Sequence, residues 1–351
     1  IAAFWLRQLG YEVAVACLDD ELRKLPAAPV TAALPKVAEV SAADASHGTL
    51  MAVTNGLPQK MLLAYGSDAQ KDAWLPPLAT GEIFGAFCLS EPHAGSDAAA
   101  IRTRAVRDGS GYRLRGTKAW VTGGGHAGVY LVLAVTDPDA GARGISAFLV
   151  PGDAAGLSFG APERKMGQHA SITTTVALDD VPVDEGLRLG AEGEGFVMAM
   201  ASLDAGRIGI AAQSLGIARA AFEAARDYAD ERSAFGRRIR EFQGVAFPLA
   251  EMATRLEAAR LLTWKAAWAM DRGFRVTQEA SMAKLFASET AGFVTDAAVQ
   301  VLGGAGYTRD HPVERYLRDA RVTRIYEGTS EIQRIVIARQ LYRDLDRGAS
   351  A

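Results

Sequence analysis

Cysteine is nearly absent: Cys17 and Cys88 are the only two among 351 residues, and they have no C-x-x-C spacing. This excludes a disulfide framework and a thiolate zinc site. Histidine is also scarce. The five (His47, His93, His126, His169, His311) never fall four apart or cluster, so each reads as a surface or core histidine rather than a metal ligand. Positive charge is not in excess either, since 38 Lys and Arg face 41 Asp and Glu for a net charge of −3. Such a balance exerts no long-range pull on nucleic acid or an anionic membrane. No apolar run reads as a bilayer span, and no basic-then-apolar leader opens the chain. It begins at Ile1 rather than Met, which leaves room for a preceding leader.

The composition is otherwise that of a globular protein, 49% hydrophobic and 23% charged, long enough for two or three domains. Three textures succeed one another. Residues 1–82 are alanine-rich, with helical apolar spacing in "LPKVAEVSAADASHGTLMAVTNGL" and "SDAQKDAWLPPLATGE", although Pro26, Pro29 and Pro35 blur the helix boundaries. Residues 83–193 hold short β-rich runs ("IFGAFCLS", "GVYLVLAVT", "GISAFLV", "SITTTVALDDVPV") separated by Gly, Pro and Asp turns. There "RDGSGY" punctuates a hairpin, and a small antiparallel sandwich or barrel is expected. Residues 194–351 return to a period near 3.6 in four long segments with short connections, as in an antiparallel bundle. The fold class expected is α+β, mostly α.

Five stretches carry chemistry. "CLSEPHAGSD" leaves a strand as a polar turn that can offer main-chain N–H groups and the hydroxyls of Ser90 and Ser96 to a ligand; on composition alone it is equally a connecting loop. In "WVTGGG", a Trp beside a Thr at a strand end can stack on a flat ring while the hydroxyl meets a ring heteroatom, and a plain hairpin gives the same pattern. "QVLGGAGY" permits close approach of main chain to a phosphate, but it follows a helix and lacks G-x-G-x-x-G spacing, so a helix C-cap explains it as well. "DERSAFGRRIREFQ" gathers Arg232, Arg237, Arg238 and Arg240, a set able to grip phosphates or simply to be solvated. Last, "RIYEGTSEIQR" puts Glu327 at the doorstep of a helix, beside Ile325 and Tyr326, where an acid near a helix N-terminus is commonly just favoured by the dipole.

In this order and at these spacings the stretches resemble the acyl-CoA dehydrogenase family from about residue 40 to the end. "CLSEPHAGSDAAA" is similar to the family's first signature. "QVLGGAGYTRDHPVERYLRD" is similar to its second, with Gln300, Gly303, Gly304, Gly306, Tyr307, Asp310, Arg315 and Asp319 in place. The resemblance implies an N-terminal helical domain (1–82), a middle β-domain (83–193) and a C-terminal four-helix bundle (194–351). It implies FAD, with Phe87, Cys88, Leu89, Ser90, Gly95, Ser96, Trp120, Val121 and Thr122 lining the flavin. Arg232, Phe235, Gln243, Gln300, Val301, Leu302, Gly303 and Gly304 would meet a partner subunit's cofactor, and Thr329, Ser330 and Glu331 would close over the chain's own. Ser96, Asp204, Ala205, Gly206, Arg207 and Gly328 would touch acyl-CoA.

The implied reaction is α,β-dehydrogenation of a saturated acyl-CoA to the trans-2-enoyl-CoA. Glu327 would take the α-proton, flavin N5 the β-hydride, and electron-transferring flavoprotein the electrons, in fatty acid β-oxidation by a homotetramer (a dimer of dimers). A thioester α-proton is too weak an acid for an ordinary carboxylate in water. Drying the carboxylate raises its proton affinity, and hydrogen bonds to the thioester oxygen stabilise the enolate. In the family the main-chain N–H of the same Glu supplies one such bond. Thr329 or Ser330 can start the following helix. Some members place the base at the third position of the D-x-x-R within the "LDAGR" segment instead; here that is Gly206, which has no acid to offer.

The expected substrates are short or medium in chain, with branching open. A same-fold oxidase, a dehydrogenase of carrier-bound acyl groups and a silent acyl-CoA-binding subunit stand as alternatives. The chain departs from the family in a shorter N-terminal region and in His93 and His169, where Gly/Asn-like and Arg-like residues are expected. Location in a bacterial cytoplasm, or with a leader in the mitochondrial matrix, completes the expectations.

Overall fold

The computed structural model describes residues 30–348; Cys17, Pro26, Pro29 and the first part of the expected N-terminal domain lie outside them. The first described elements are helices α1 (Val30–Ala43), α2 (Ala45–Tyr65) and α3 (Asp68–Thr80). The break between α1 and α2, which apolar spacing alone does not mark, falls at Asp44. Its carboxylate accepts the His47 N–H at 3.0 Å, three residues on, as an N-cap does. Helix α3 opens with a capping box, Ser67 and Gln70 each accepting the other's main-chain N–H, and closes on Gly81 at φ 78°. Pro35 and Pro58 lie inside helices rather than bounding them.

The chain divides into two compact units. The first comprises Leu50–Arg164 and Ser171–Leu203. Its strands are β1 (Gly85–Cys88), β2 (Arg104–Asp108), β3 (Gly111–Thr122), β4 (Val129–Val135), β5 (Ile145–Pro151), β6 (Leu157–Phe159), β7 (Thr173–Asp184) and β8 (Arg188–Leu189). They form one sheet ordered β6-β7-β3-β2-β4-β5-β8, with β1 on β4. The sheet is mixed rather than purely antiparallel, because β1 runs parallel to β4. The predicted hairpin joins β2 to β3, Asp108 facing Gly111 across a tight turn.

Strands β4 and β5 read as near-continuous apolar runs because both their faces are covered. Alternate residues enter two cores. Tyr130, Val132, Phe148 and Val150 meet Tyr112, Leu114, Val176 and Val181 where the sheet curls over itself. Leu131, Leu133, Ile145 and Leu149 face the other way, toward Met61 and Leu62 of α2 and Leu78 of α3.

The second unit comprises the described residues up to Thr49, the segment Lys165–Ala170, and the chain from Asp204 on. Its further elements are α4 (Gly195–Glu231), whose first turns belong to the first unit, a small hairpin β9 (Ser233–Ala234) and β10 (Arg237–Arg238), then α5 (Gln243–Asp271), α6 (Thr277–Leu302), α7 (Val313–Ala320) and α8 (Ser330–Gly348). Small residues recur three or four apart on α6 (Ala280, Ala283, Ala287, Ala291, Val294, Ala298), all buried. Several of them pack on Ile217, Ala218, Ala221 and Ala225 of α4. Side chains this small let the helices approach closely, so the bundle core is tight as well as apolar. By length and composition α4 could cross a bilayer, a property the apolar runs did not reveal. Within the fold 61% of its most apolar window is buried, as in a core helix.

Candidate active site

Between α7 and α8 the chain makes a short 3-10 turn (Arg321–Arg324) and then the segment holding Glu327. Glu327 has φ 50° and Gly328 φ 91°, two left-handed residues in succession. For the glycine this is free; for the glutamate it costs about 1–3 kcal/mol, a strain that persists only where surroundings enforce it. Here they do. Gln333 Nε2 donates to the carbonyls of Glu327 (3.2 Å) and Gly328 (2.9 Å), and Lys284 Nζ donates to Gly328 O at 2.7 Å. Thr329 is the helix cap, its hydroxyl accepting the Ile332 N–H at 3.3 Å, while Ser330 Oγ donates to Glu289 instead.

The Glu327 carboxylate is dry. Both oxygens are buried and neither has a hydrogen-bond partner among the described residues, while the rest of the residue keeps some exposure. It packs on the main chain of α4 at Gly206, so closely that a methyl group there would lie 2.0 Å from Oε2. The position that could have held an acid is therefore the position against which this acid rests. Two cations stand near. Arg207 is paired to Asp204 at 2.7 Å, and Asp204 also accepts from Thr277. Lys284 is fully buried. Burial pushes the Glu327 carboxyl up, Lys284 and then Arg207 pull it down, and the outcome is about 7. Burial likewise brings Lys284 down to about 8 despite the attraction of Glu327.

The two residues before Glu327 differ in exposure. Ile325 is 51% exposed. Tyr326 anchors the turn from the other side, its hydroxyl donating to Gln213 Oε1. Gln213 Nε2 donates to Thr49 Oγ1, Thr49 to Gln168, and Gln168 to the carbonyl and carboxylate of Asp319. Each amide in this buried chain has partners on both its oxygen and its nitrogen, which fixes Tyr326 in one orientation.

The flavin-lining candidates divide between the units. In the first unit, Phe87 and Cys88 lie on β1, with Leu89 and Ser90 just beyond, and Gly95 and Ser96 are exposed in the following turn. That turn is pinned to β3 by a buried ion pair: Lys118 Nζ donates to Leu89 O at 3.1 Å and to Glu91 at 2.8 Å. Glu91 in turn accepts the N–H groups of Arg102 and Thr103. Burial pushes the Glu91 carboxyl up, but the Lys118 ammonium and these hydrogen bonds outweigh it and hold it below its ordinary value. Opposite β7, strand β3 carries one extra residue between Lys118 and Val121, and in that bulge Trp120 adopts φ 60°. The indole is thereby turned out of the sheet and left 65% exposed, beside half-buried Thr122. Thr174 Oγ1, opposite Val121, is buried with no partner.

In the second unit, Arg232 ends the α4 region, Phe235 sits at the hairpin tip with φ 52° and 96% exposure, and Gln243 starts α5. Gln300, Gly303 and Gly304 are exposed at the end of α6, next to Val301 and Leu302, and a Cβ on either glycine would meet nothing. Of the substrate candidates, Asp204, Ala205, Gly206, Arg207 and Gly328 gather around Glu327, and Ser96 belongs to the first unit.

These residues fit a flavin nucleotide. An exposed, stackable indole and the hydroxyls of Thr122, Ser90 and Ser96 suit an uncharged tricyclic ring, and an exposed arginine and exposed, open glycines suit a diphosphate. Among the described residues, three of the five non-glycine residues at positive φ (Trp120, Phe235, Glu327) are candidate site residues, which is where backbone strain concentrates. Inspection of sequence missed Lys284, Gln333, Lys118 and Glu91. The available signal was a lysine among small residues on the core stripe of α6, in "ASMAKLFAS".

A chain that is helical, then β, then helical, with a carboxylate dried against a helix in one unit and flavin-compatible residues in each unit, has the parts of a thioester-oxidising flavoprotein. Three family descriptions match: the acyl-CoA dehydrogenase N-terminal domain (residues 29–82), middle domain (86–181) and C-terminal domain (193–342). The chain is 49% identical over 303 residues to the mitochondrial short-chain specific acyl-CoA dehydrogenase of Bos taurus, covering 86% of this chain and 74% of that one. It is 42% identical to butyryl-CoA dehydrogenase from Megasphaera elsdenii, with a TM-score of 0.89 over 90% of this chain and 83% of that one. A chain from a structure of the electron-transferring flavoprotein of Acidaminococcus fermentans superposes with a TM-score of 0.90 at 44% identity, over 93% and 86% of the two chains. The chain belongs to the acyl-CoA dehydrogenase family.

Proposed function

We propose that this chain is a FAD-dependent acyl-CoA dehydrogenase of the short-chain type, with Glu327 as its general base. The observation that carries the reading is the buried, unpartnered Glu327 carboxylate, brought to about 7 by its surroundings. A base at that value is roughly half ionised at neutral pH yet keeps far more proton affinity than an exposed carboxylate. The strained turn holds the carboxylate against Gly206 while Gln333 and Lys284 occupy the carbonyls of residues 327 and 328. The Glu327 N–H, with no carbonyl of its own turn to serve, is the donor assigned to the thioester oxygen. Arg207, tied to Asp204, adds positive potential where enolate charge develops.

Trp120, Thr122, Phe87 to Ser90, Gly95 and Ser96 would hold the flavin ring, and Thr329 to Glu331 would close on it. FAD held there would supply the two-electron acceptor for the β-hydride. Arg232, Phe235, Gln243 and Gln300 to Gly304 are assigned to the cofactor of a neighbouring subunit. Homotetramer formation is supported by large apolar side chains that α5 leaves exposed, among them Phe247, Leu261 and Trp268. Electrons pass to an electron-transferring flavoprotein. The domain division at 82/83 and 193/194 is supported by the ranges of the three family matches. Relatives occur in a bacterium and in mitochondria, and we assign this chain to the matching compartments, bacterial cytoplasm or mitochondrial matrix.

The test is anaerobic mixing of the flavin-loaded protein with a ladder of acyl-CoAs. Butyryl-CoA is expected to bleach the flavin fastest, and Glu327→Gln to keep FAD while bleaching slows by ~10²–10⁴-fold or more. Failure of every acyl-CoA to bleach the wild-type flavin contradicts the reading.

A further inference from the structure

The Glu327 turn leans on a lysine that sits where lysines are rarely tolerated. Lys284 lies on the core stripe of α6 among Ala280, Ser281, Ala283, Ala287 and Ser288, all buried, and its side chain is 0% exposed. Its ammonium has three donors. The hydrogen bond it makes is to Gly328 O at 2.7 Å, one peptide beyond the base. An ammonium so buried is costly unless a negative charge answers it.

The charged groups around the pair are few. On α4, Arg207 is held in an ion pair with Asp204 at 2.7 Å. On α6, Glu289 is engaged by Arg324 at 3.2 Å and by Ser330 Oγ at 2.7 Å. On α8, Glu331 is exposed and lies 3.6 Å from Arg334. Tyr326, next in the chain, gives its hydroxyl to Gln213. Lys284 and Glu327 are thus the two charges whose best counter-charge is each other, yet no ion pair joins them: the ammonium is spent on the neighbouring carbonyl. A direct contact would cancel the carboxylate's proton affinity, and no cation at all would leave it protonated at neutral pH.

We propose that Lys284 is a positioning residue for the base: tethered on the Gly328 carbonyl, it fixes the strained turn and holds one positive charge near Glu327 without touching it. This rests on the reading of Glu327 as the base and adds a second residue to it. The charge and the tether are separable. Lys284→Gln keeps a donor for Gly328 O and removes the charge, Lys284→Met removes both, and Lys284→Arg keeps the charge.

The experiment follows the flavin-loaded proteins across pH in two ways. One is the rate of anaerobic flavin reduction by butyryl-CoA. The other, which needs no turnover, is the infrared band of the protonated Glu327 carboxyl, isolated by difference against Glu327→Gln. The lysine attracts the ionised carboxylate, so its removal raises the carboxyl's proton affinity. In Lys284→Gln and Lys284→Met both midpoints are expected to move up by about one pH unit or more, a roughly tenfold loss of ionised base below the midpoint. Lys284→Arg is expected to titrate within about half a unit of wild type. A merely structural lysine would change FAD retention or the rate at every pH and leave both midpoints in place; that result overturns the proposal, with Lys284→Gln deciding should Lys284→Met not fold. If instead wild type is never bleached, the base assignment fails first, and an infrared midpoint that still follows the Lys284 charge upholds this inference alone.

Discussion

Gly206 offers a perturbation whose size can be worked from the coordinates. A methyl group there would stand 2.0 Å from Glu327 Oε2 and 2.9 Å from its carboxyl carbon, whereas contacts under 3.0 Å essentially do not occur. Moving from 2.0 to 3.0 Å requires a withdrawal of about 1 Å by the carboxylate, because the end of a flexible side chain yields before helix backbone does. Displacement of a catalytic group by that distance costs on the order of 10²-fold in rate. Stability moves differently. Alanine in a helix interior gains roughly 1 kcal/mol over glycine, and overpacking costs about 1–3 kcal/mol, so Gly206→Ala should melt within a few degrees of wild type. Stopped-flow reduction by butyryl-CoA, read with thermal unfolding and FAD content, separates the two effects. A variant that reduces its flavin within roughly threefold of wild type would show that the base does not work from its seat against Gly206, and the reasoning would be wrong.

Two further outcomes follow from buried charge. Ionised Glu327 is disfavoured in the fold, since its carboxyl rises from 4.5 to about 7. The penalty is absent below the unfolded value, grows as pH rises, and is complete above about 7, with an upper limit of roughly 3 kcal/mol. Glu327→Gln should therefore be more stable than wild type at pH 8, by less than that limit because Lys284 loses its counter-charge, and the two should converge by pH 4.5; equal stability across that range in denaturant titrations contradicts the dried carboxylate. Glu91→Gln leaves the fully buried Lys118 ammonium without its partner. Loss of about 3–5 kcal/mol is expected, together with FAD release as the turn carrying Ser90 to Ser96 loosens; a fully flavinated variant of wild-type stability in urea would refute the pinning role.

Much of the fold was legible because local signals agreed with one another. The long segments that became α4, α5, α6 and α8 carry sustained helical periodicity, and "RDGSGY" spelled its hairpin. The break at Asp44 was harder to see, since an Asp in an apolar helical run marks a cap only if a downstream N–H is free to meet it, as that of His47 is. Two cores served by alternate residues of β4 and β5 cannot be read from an unbroken apolar run, because both faces look alike. At the site, Glu327, Gly206 and Trp120 were legible through motif and spacing. Lys284 and Gln333 were not, since their roles depend on carbonyls of residues 44 and 5 positions away, on a turn whose shape only the folded bundle imposes. The contact of the carboxylate with Gly206, more than a hundred residues upstream, was not legible for the same reason, and adjacent Ile325 is 51% exposed.

The central claim is that one dried carboxylate takes the α-proton, and the pH dependence of anaerobic flavin reduction by butyryl-CoA tests it most directly. Reduction requires the ionised base, so the wild-type rate should rise with pH through a midpoint near 7 and level off above it, and Glu327→Gln should be slow at every pH with that midpoint gone. A midpoint near 4.5, where an ordinary exposed glutamate titrates, or a Glu327→Gln protein that reduces at close to wild-type speed, would contradict the account.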